Sequence, residues 1–270
     1  MKKRPIPVTL TIAGSDSGGG AGIQADLKAF QAFGTFGTTA ITAITVQDTR
    51  GVHDVHAVPV GTVQQQIQVV ADDLAPDACK TGMLATAELV DAVAAEIRAG
   101  SLPCYVLDPV MVATSGDRLL DRDAESAVAE LLVPLATLVT PNLSEASLLW
   151  GAPVRTESDM VAAGEAFCEM GAGAALVKGG HLRGPEVVDV LVDEDGVRKW
   201  RYPRLETAHT HGTGCTLSAA IAAGLAHGRP LREAVEDGLD YVHRAIAAAP
   251  GLGSGHGPLN HLVEARPQPT

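Results

Sequence analysis

Segments with strand-like and helix-like patterns alternate along this chain almost from end to end. Residues 8–13 alternate polar and apolar side chains, which predicts a strand. Residues 22–33 place Ile23, Leu27 and Phe30 on one helical face. The same reasoning predicts further strands at residues 38–46, 78–81, 105–108, 138–140 and 174–178, and further helices at residues 63–73, 85–99, 124–132, 143–150, 157–170, 215–227 and 231–248. Repeated strand–helix units predict an α/β fold with a mostly parallel central sheet and helices on both faces.

One segment departs from this alternation. Residues 187–192 and 197–202 are both strand-like and flank the acidic turn Asp193-Glu194-Asp195-Gly196, which favours a hairpin over a metal loop. No change in composition marks a second domain. We therefore expect one domain over residues 1–270, with flexible tails at residues 1–6 and 265–270.

The charge balance limits the partners that the chain can have. It carries 32 acidic and 20 basic residues, for a formal net charge of −12, and aromatic residues make up only 3%. Nucleic acids and anionic membranes are therefore not expected as partners. A phosphate group could still be bound locally, through backbone N–H groups, a few cations or a metal.

The chain start and the cysteines bear on location. Basic residues 2–4 resemble the start of a signal peptide, but Pro5 and Pro7 interrupt the next residues and the apolar run is short. No apolar run is long enough to cross a membrane. The four cysteines are far apart, and Cys104 and Cys168 are predicted to be buried thiols. These features predict a protein of the reducing cytoplasm.

A glycine-rich turn near the C-terminus carries the strongest chemical signal. Residues 210–215 read Thr-His-Gly-Thr-Gly-Cys and run into a helix of small residues. The first N–H groups of a helix lack internal partners and attract anions. The same field should lower the pKa of the Cys215 thiol below about 8.5, so that part of it is thiolate. A glycine-capped helix with a buried cysteine is the alternative for this turn alone.

The loop after the first predicted strand, residues 14–22, is also rich in glycine. It contains Gly20-x-Gly22-x-x-Ala25, a weak match to a dinucleotide-binding fingerprint. Several residues separate these glycines from the strand, which disfavours hydride transfer. The loop has no P-loop lysine either. We interpret it as a ligand-binding loop rather than a simple connector.

Polar residues follow several other predicted strands. Gln47 has an amide that suits the edge of a heterocycle, whereas Asp26 could be a solvated helix residue. Asp108 could contact a metal or a phosphate, or cap its own loop. Asn142 and Glu145 form a predicted helix-capping pair, and the functional alternative is that they hold magnesium through water.

Three further sequence features complete the set of candidates. The glycines after Lys178 would let a nucleotide lie close to the backbone. Residues 115–117, Ser-Gly-Asp, have the flexibility of a lid hinge. The histidines at positions 53, 56, 209 and 211 do not share a helix face, so no zinc site is predicted.

Six of these segments occur in the order found in one family. They are residues 14–28, 80–84, 107–111, 140–146, 177–181 and 211–216, and together they closely resemble the hydroxymethylpyrimidine and phosphomethylpyrimidine kinases of thiamine biosynthesis, which are ribokinase-like enzymes. The resemblance extends from about residue 8 to about residue 261. Many family members have Asp-Pro-Ser-Gly-Gly in the first loop, whereas this chain has Asp16-Ser17-Gly18-Gly19 and keeps the glycines.

The resemblance implies a reaction. It is ATP-dependent phosphorylation of 4-amino-5-hydroxymethyl-2-methylpyrimidine and then of its monophosphate, with Mg²⁺ and in a homodimer. A pyridoxal kinase of the same fold is the first alternative. A non-catalytic or NAD-type nucleotide-binding protein is the second.

The resemblance also implies roles for individual residues. Cys215 takes the place where most ribokinase-like enzymes have an aspartate base. The implied roles are catalysis by Cys215, Gly212 and Gly214, pyrimidine binding by Gly14, Asp26, Gln47, Met83 and Val110, nucleotide binding by Lys178, Gly180 and Thr213, and metal binding by Asp108, Asn142 and Glu145.

Overall fold

A single nine-stranded sheet organises the molecule. The computed structural model describes residues 4–100, 102–111 and 122–265. The strands are β1 (Val8–Ser15), β2 (Phe36–Asp48), β3 (Gly51–Ala57), β4 (Ala78–Thr81), β5 (Tyr105–Leu107), β6 (Leu138–Val139), β7 (Ala175–Val177), β8 (Glu186–Asp193) and β9 (Gly196–Pro203). Their order across the sheet is β3-β2-β1-β4-β5-β6-β7-β8-β9. Strands β2, β1, β4, β5, β6 and β7 run parallel, which confirms the predicted fold class.

Antiparallel strands close both edges of the sheet. The hairpin predicted around residues 193–196 is present, because β8 pairs antiparallel with β7 and with β9. At the other edge β3 pairs antiparallel with β2. The sequence did not predict β3, and it ended β2 too early. Gln47 therefore lies within a strand rather than in a loop.

Eight α-helices follow the strands within the described residues. They are α1 (Gly22–Ala32), α2 (Val60–Leu74), α3 (Ala87–Arg98), α4 (Arg122–Ala127), α5 (Leu143–Trp150), α6 (Glu157–Glu169), α7 (Thr213–Ala226) and α8 (Leu231–Ala247). The predicted helix at residues 124–132 is shorter, because the chain widens to a π-helical turn at Val128–Leu132 and tightens to a 3₁₀ turn at Val133–Leu135. None of these helices is both long and apolar enough to cross a membrane.

The strands bury side chains on both faces of the sheet. In β7, Ala175 and Val177 join the core under α2 to α6, while Leu176 between them joins the core under α1, α7 and α8. This two-residue alternation is what a sheet covered on both faces requires. Helix α7 is buried from Thr216 to Leu225, so its first turn is held firmly at one end of the sheet.

The expectation that Cys104 and Cys168 are buried thiols is wrong, while the flexibility of the tails stays a prediction. Cys104 and Cys168 are only partly buried. Cys104 lies before β5 with a left-handed φ of 48°, because the chain turns there before entering the sheet. Within the predicted N-terminal tail, Arg4 is anchored: its guanidinium donates to Ala75 O at 2.6 Å and to Asp77 Oδ2 at 3.0 Å. Residues 1–3 and 266–270 of the predicted tails lie outside the described residues.

Candidate active site at the carboxyl edge of the sheet

Four buried charged side chains and one partly buried lysine, Lys178, alternate in sign along the carboxyl edge of the parallel strands. Lys80 Nζ lies 3.1 Å from Asp26 Oδ1 and 4.0 Å from Asp108 Oδ2. Lys178 Nζ lies 3.1 Å from Asp108 Oδ1 and 4.0 Å from Glu145 Oε2. We call Asp26, Lys80, Asp108, Lys178 and Glu145 the charge ladder. Ligands of open α/β sheets bind at this edge, so the ladder marks the candidate site.

Neighbouring hydroxyl groups complete the ladder's hydrogen bonds. Thr11 Oγ1 donates to Asp26 Oδ2 at 2.6 Å, and Ser218 Oγ donates to Asp108 Oδ2 at 3.2 Å. The ladder carries three carboxylates and two ammonium groups. It therefore has an excess of one negative charge when every member is ionised.

Burial shifts the acid–base behaviour of the ladder. Desolvation raises the pKa of Asp26, and it raises the pKa of Glu145 to about 7 despite the nearby Lys178. Burial opposes the charge on Lys80 and Lys178, but their carboxylate neighbours outweigh it and raise the pKa of both lysines. Both lysines therefore stay positively charged at neutral pH.

The glycine–cysteine turn, residues 210–215, faces this ladder. Gly212 caps α7 with a left-handed φ of 83°, and a Cβ there would lie 1.8 Å from Gly20 O. A Cβ on Gly214 would lie 3.0 Å from Lys178 Nζ and 3.8 Å from both Asp108 oxygens. Thr216 donates the first intrahelical bond, to Gly212 O at 2.9 Å. The N–H groups of Gly214 and Cys215 thus precede that bond and lie close to a lysine, where the sequence predicts an anion cradle.

The predicted ionisation of Cys215 is wrong for the ligand-free protein. Burial raises the pKa of its thiol to about 12, and the charges of Asp108 and Asp26 add to that rise. Lys80 has the largest effect after burial and acts in the opposite direction, as does an N–H···S bond from Gly22. Desolvation and the two carboxylates together outweigh both, and the thiol is neutral.

The first glycine loop, residues 14–22, is closed by a carboxylate. Asp16 accepts the N–H groups of Gly18 at 2.8 Å, Gly20 at 3.0 Å and Ala21 at 2.8 Å. Its Oδ2 also lies 2.9 Å from Nε2 of His211. Burial opposes the charge, but these hydrogen bonds, led by the one from His211, lower the pKa of Asp16. The Asp16–His211 pair thus ties the first glycine loop to the glycine–cysteine turn.

The predicted pyrimidine-binding residues lie around this junction. A Cβ on Gly14 would lie 2.8 Å from Met83 Cε, so these two residues are in contact. Gln47 Nε2 lies 3.4 Å from His211 Nε2. Val110 is partly buried and lies two residues after Asp108. Asp26 is not a solvated helix residue: it is wholly buried, and Thr11 and Lys80 occupy its oxygens.

The predicted nucleotide-binding residues are Lys178 of the ladder itself, Gly180 and Thr213. Asp189 Oδ1 accepts the Gly179 N–H at 2.9 Å, which fixes the backbone directly after Lys178. Gly180 is exposed, and its carbonyl accepts from Arg204 Nη1 at 2.8 Å. Thr213 is in the first turn of α7, where its hydroxyl donates to Thr210 O at 2.7 Å.

The three predicted metal residues are brought close but are already hydrogen-bonded. Asn142 Oδ1 accepts from the N–H groups of Ser144 and Glu145, and Glu145 Oε2 accepts the Asn142 N–H at 2.7 Å, so the predicted capping box is confirmed. Among the residues that the structure describes, no three His, Cys, Asp or Glu side chains are arranged to hold a metal ion. The excess negative charge and the raised pKa of Glu145 fit a cation that keeps its water ligands, as Mg²⁺ does.

Sequence reasoning assigned no role to Lys80 and His211. Lys80 is the third residue of the four-residue strand β4, and all four residues are buried. A lysine inside such a strand was the available signal, because buried lysines need an acidic partner. His211 gave no comparable signal, since its partner Asp16 is 195 residues away. The predicted hinge at residues 115–117 lies outside the described residues.

Comparisons with known proteins agree with this geometry. The family model described as phosphomethylpyrimidine kinase matches residues 16–260. The chain belongs to this family. It is 52% identical to the hydroxymethylpyrimidine/phosphomethylpyrimidine kinase of Rhizobium meliloti, over 94% of this chain and 97% of that one. It is also 47% identical to the thiamine biosynthesis bifunctional protein of Geobacter sulfurreducens, but it spans only 54% of that protein's length.

The structure of this chain is similar to solved structures of pyridoxal kinase and phosphomethylpyrimidine kinase. An ADP complex of Bacillus subtilis pyridoxal kinase superposes with a TM-score of 0.89 at 38% identity, covering 95% of this chain and 97% of the other. Phosphomethylpyrimidine kinase from Clostridium difficile superposes with a TM-score of 0.80 at 40% identity, covering 89% and 99%. The fold is thus the predicted ribokinase-like fold.

Proposed function

We propose that this phosphomethylpyrimidine kinase family member transfers the γ-phosphoryl group of ATP to 4-amino-5-hydroxymethyl-2-methylpyrimidine, and then a second phosphoryl group to the monophosphate. The observation that carries the proposal is the N-terminus of α7 beside Lys178, in a chain whose family is shown. A Cβ on Gly214 would lie 3.0 Å from Lys178 Nζ, and a Cβ on Gly212 would lie 1.8 Å from Gly20 O, so this helix start lies beside an ammonium group and against the first glycine loop.

Phosphoryl transfer needs positioning and charge stabilisation more than covalent chemistry. The O–H bond of the hydroxymethyl group breaks, an O–P bond forms, and the bond from the γ-phosphorus to the bridging oxygen breaks to release ADP. The N–H groups of Gly214 and Cys215 stabilise the charge on the transferred group, and Gly212 lets the turn approach closely. Lys178 and the following glycine backbone contact the nucleotide phosphates, together with Thr213 and Gly180.

Cys215 is the proposed acceptor of the hydroxymethyl proton. With a pKa of about 12, forming its thiolate at pH 7 costs about 7 kcal/mol in the ligand-free protein. The pKa therefore has to fall when substrates bind. Lys80 is the cation of this chain that acts on the thiol in that direction.

The pyrimidine is proposed to bind between the first glycine loop and β2. Gln47 offers an amide to the ring nitrogen and amino group, while Gly14, Met83 and Val110 supply close packing. Asp26 contributes through Lys80 rather than by direct contact, because its oxygens are occupied.

Magnesium is proposed to bind near Asp108, Asn142 and Glu145. When bound, it would neutralise charge on the nucleotide phosphates. Asp108 and Glu145 supply the carboxylates that hold its water ligands. Asn142 orients Glu145 through the capping box.

The assembly is also a proposal. We propose that the whole chain acts as one domain, as a homodimer and in the cytoplasm. Analytical ultracentrifugation of the purified protein would measure the assembly, and a monomer at micromolar concentration would contradict the dimer.

An ADP-release assay with three acceptors tests the reaction. The acceptors are the pyrimidine alcohol, its monophosphate and pyridoxal. We expect both pyrimidines to be used with higher kcat/KM than pyridoxal. Pyridoxal kinase is the second candidate because the Bacillus subtilis enzyme superposes so closely. A kcat/KM for pyridoxal equal to or above that for the pyrimidine alcohol would decide for that candidate.

A further inference from the structure

The side-chain amide of Gln47 lies between two polar groups on different parts of the chain. Its Oε1 is 3.1 Å from Thr45 Oγ1, and its Nε2 is 3.4 Å from Nε2 of His211. The main chain of Gln47 is held by Ser17, whose hydroxyl accepts the Gln47 N–H at 2.9 Å and donates to Gln47 O at 2.7 Å. The backbone is thus fixed, and the main freedom left to the amide is a half-turn that exchanges its oxygen and nitrogen.

The proton on His211 decides what can face it. Asp16 accepts three backbone N–H groups and lies 2.9 Å from Nε2 of His211. A carboxylate that receives so many donors is ionised and acts only as an acceptor. The proton between the two side chains therefore belongs to Nε2 of His211. That nitrogen carries one N–H, which Asp16 accepts, so a nearby amide oxygen is attracted to it and a nearby amide N–H is repelled.

The hydroxyl of Thr45 imposes the complementary condition. Its single proton is donated to Ser15 O at 2.7 Å. Thr45 is only 5% exposed, so water does not compete for that proton. Towards Gln47 the hydroxyl can then only accept. The group of Gln47 that faces Thr45 must be the amide NH₂.

Both conditions are met by one orientation and violated by the other. With the amide oxygen towards His211 and the NH₂ towards Thr45, the Thr45 contact joins a donor to an acceptor, and the amide oxygen lies near the His211 N–H that Asp16 already accepts. With the atoms exchanged, N–H faces N–H at His211, and the one proton of Thr45 has two acceptors. We infer that His211 and Thr45 are specificity-determining residues that fix the orientation of the Gln47 amide. One N–H and one oxygen lone pair of that amide then remain for a ligand, in a fixed order.

This inference rests on the proposed function, because it assigns the remaining N–H and lone pair to the pyrimidine edge. A 4-aminopyrimidine presents a ring-nitrogen acceptor next to an amino donor. The 4-oxo analogue presents the reverse, a ring N–H donor next to an oxygen acceptor. Accepting the analogue would require the Gln47 amide to turn over, and His211 and Thr45 both oppose that turn. His211 and Thr45 together therefore select 4-amino over 4-oxo pyrimidines.

The test compares kcat/KM for the 5-hydroxymethyl-2-methylpyrimidine carrying a 4-amino group with that for its 4-oxo analogue. We expect the wild-type protein to prefer the amino compound by about 100-fold or more. Thr45→Val and His211→Leu should each reduce that preference roughly tenfold. Each variant removes one polar contact that stabilises the original orientation of the Gln47 amide. The KM for ATP should not change in Thr45→Val.

Conservative variants separate specificity from stability. Thr45→Ser keeps the hydroxyl and His211→Gln keeps a donor near the Nε2 position, so both should retain the wild-type preference. If the His211 variants do not fold, the comparison of Thr45→Val with Thr45→Ser is sufficient for the test. Active Thr45→Val protein with an unchanged amino-to-oxo ratio would overturn the inference. Wild-type protein that phosphorylates neither pyrimidine would instead refute the proposed function.

Discussion

At the scale of single residues, Cys215 shows two opposing effects on one thiol. Its place in the first turn of α7 favours the thiolate. Burial and the carboxylates of Asp108 and Asp26 favour the thiol, and they raise its pKa to about 12. The field of a helix end acts within about one turn. At the same short distance, the loss of hydration and the full charges of the two carboxylates have a larger effect on the pKa of the thiol.

The first prediction concerns Cys215 as a base. Cys215→Ala should lower kcat by about 10²–10⁴, while ATP and pyrimidine still bind, because the N–H cradle survives. Since the unprotonated form is the active one, wild-type kcat should rise with pH across the neutral range. In Cys215→Asp this rise should level off about 4–5 pH units lower, because carboxyl groups ionise that much earlier than thiols. Steady-state kinetics against pH provides the measurement.

Cys215→Ser serves as the control for size. Its hydroxyl has a still higher pKa, so it should behave like the alanine variant. Wild-type activity in Cys215→Ala would leave the turn with an anion-binding role only.

At the scale of secondary-structure elements, two helices begin with the same motif in opposite environments. Helix α5 has the capping box Asn142–Glu145, and α6 has the capping box Thr156–Asp159. Glu145 is 5% exposed, and desolvation raises its pKa to about 7. Asp159 is only partly buried, and the hydrogen bond from the Arg155 backbone N–H, followed by those from Thr156, lowers its pKa. The two boxes should therefore respond to pH with opposite signs.

The second prediction compares these boxes in the presence of a metal chelator. A raised folded-state pKa means that the stability linked to Glu145 is full below about pH 4.5 and is lost as pH rises through about 7. Glu145→Gln keeps the cap and removes that loss, so its Tm should match wild type at pH 5 and exceed it by several degrees at pH 8. Melting curves at both pH values measure this effect.

Asp159→Asn is the matched control. The lowered pKa means that its stabilisation is present above the unfolded-state pKa of 3.8 and is lost as pH falls through the folded value. Asp159→Asn should therefore lower Tm at pH 8. A Tm of Glu145→Gln below wild type at pH 8 would show that the ionised carboxylate stabilises α5.

At the scale of the whole molecule, the charge ladder links elements that are far apart in sequence. Asp26 comes from α1, Lys80 from β4, Asp108 from the end of β5, Glu145 from α5 and Lys178 from the end of β7. Four of the charges are buried and that of Lys178 is partly buried, and each has an opposite charge within 4.0 Å. Removing one member of such a set leaves its partner unpaired in a poorly solvating environment.

The third prediction is a double-mutant cycle on Asp26 and Lys80, at one end of the ladder. Lys80→Met should lower the free energy of unfolding by about 3–5 kcal/mol, because Asp26 then lies buried without its cation. Asp26→Asn combined with Lys80→Met should recover much of that loss. Urea unfolding of the single and double variants gives the coupling energy.

An exposed ion pair provides the comparison. Lys199 Nζ lies 2.9 Å from Glu157 Oε2 near the surface, so Lys199→Met should cost less than about 1 kcal/mol. Equal losses in the free energy of unfolding for Lys80→Met and Lys199→Met would show that burial of the ladder does not affect stability.

The hydrophobic periodicity of the chain was sufficient to predict the fold class but not the strand at one edge of the sheet. Helix α5 at Leu143–Trp150 and strand β4 at Ala78–Thr81 were predicted residue for residue, because caps, prolines and apolar runs are local signals. Strand β3 was missed, since Gly51–Ala57 is largely exposed and has no buried face to impose a pattern. It is a strand because β2 pairs with it.

The sequence by itself determined the order of elements, the glycine turn at the start of α7 and the set of polar residues at the strand ends. All of these depend on neighbours within a few positions. The tertiary structure alone decided that Lys80 pairs with Asp26, that His211 meets Asp16, and that Cys215 is a neutral thiol. Those outcomes depend on burial and on charges brought together from distant segments, and both quantities are defined only once the chain has folded.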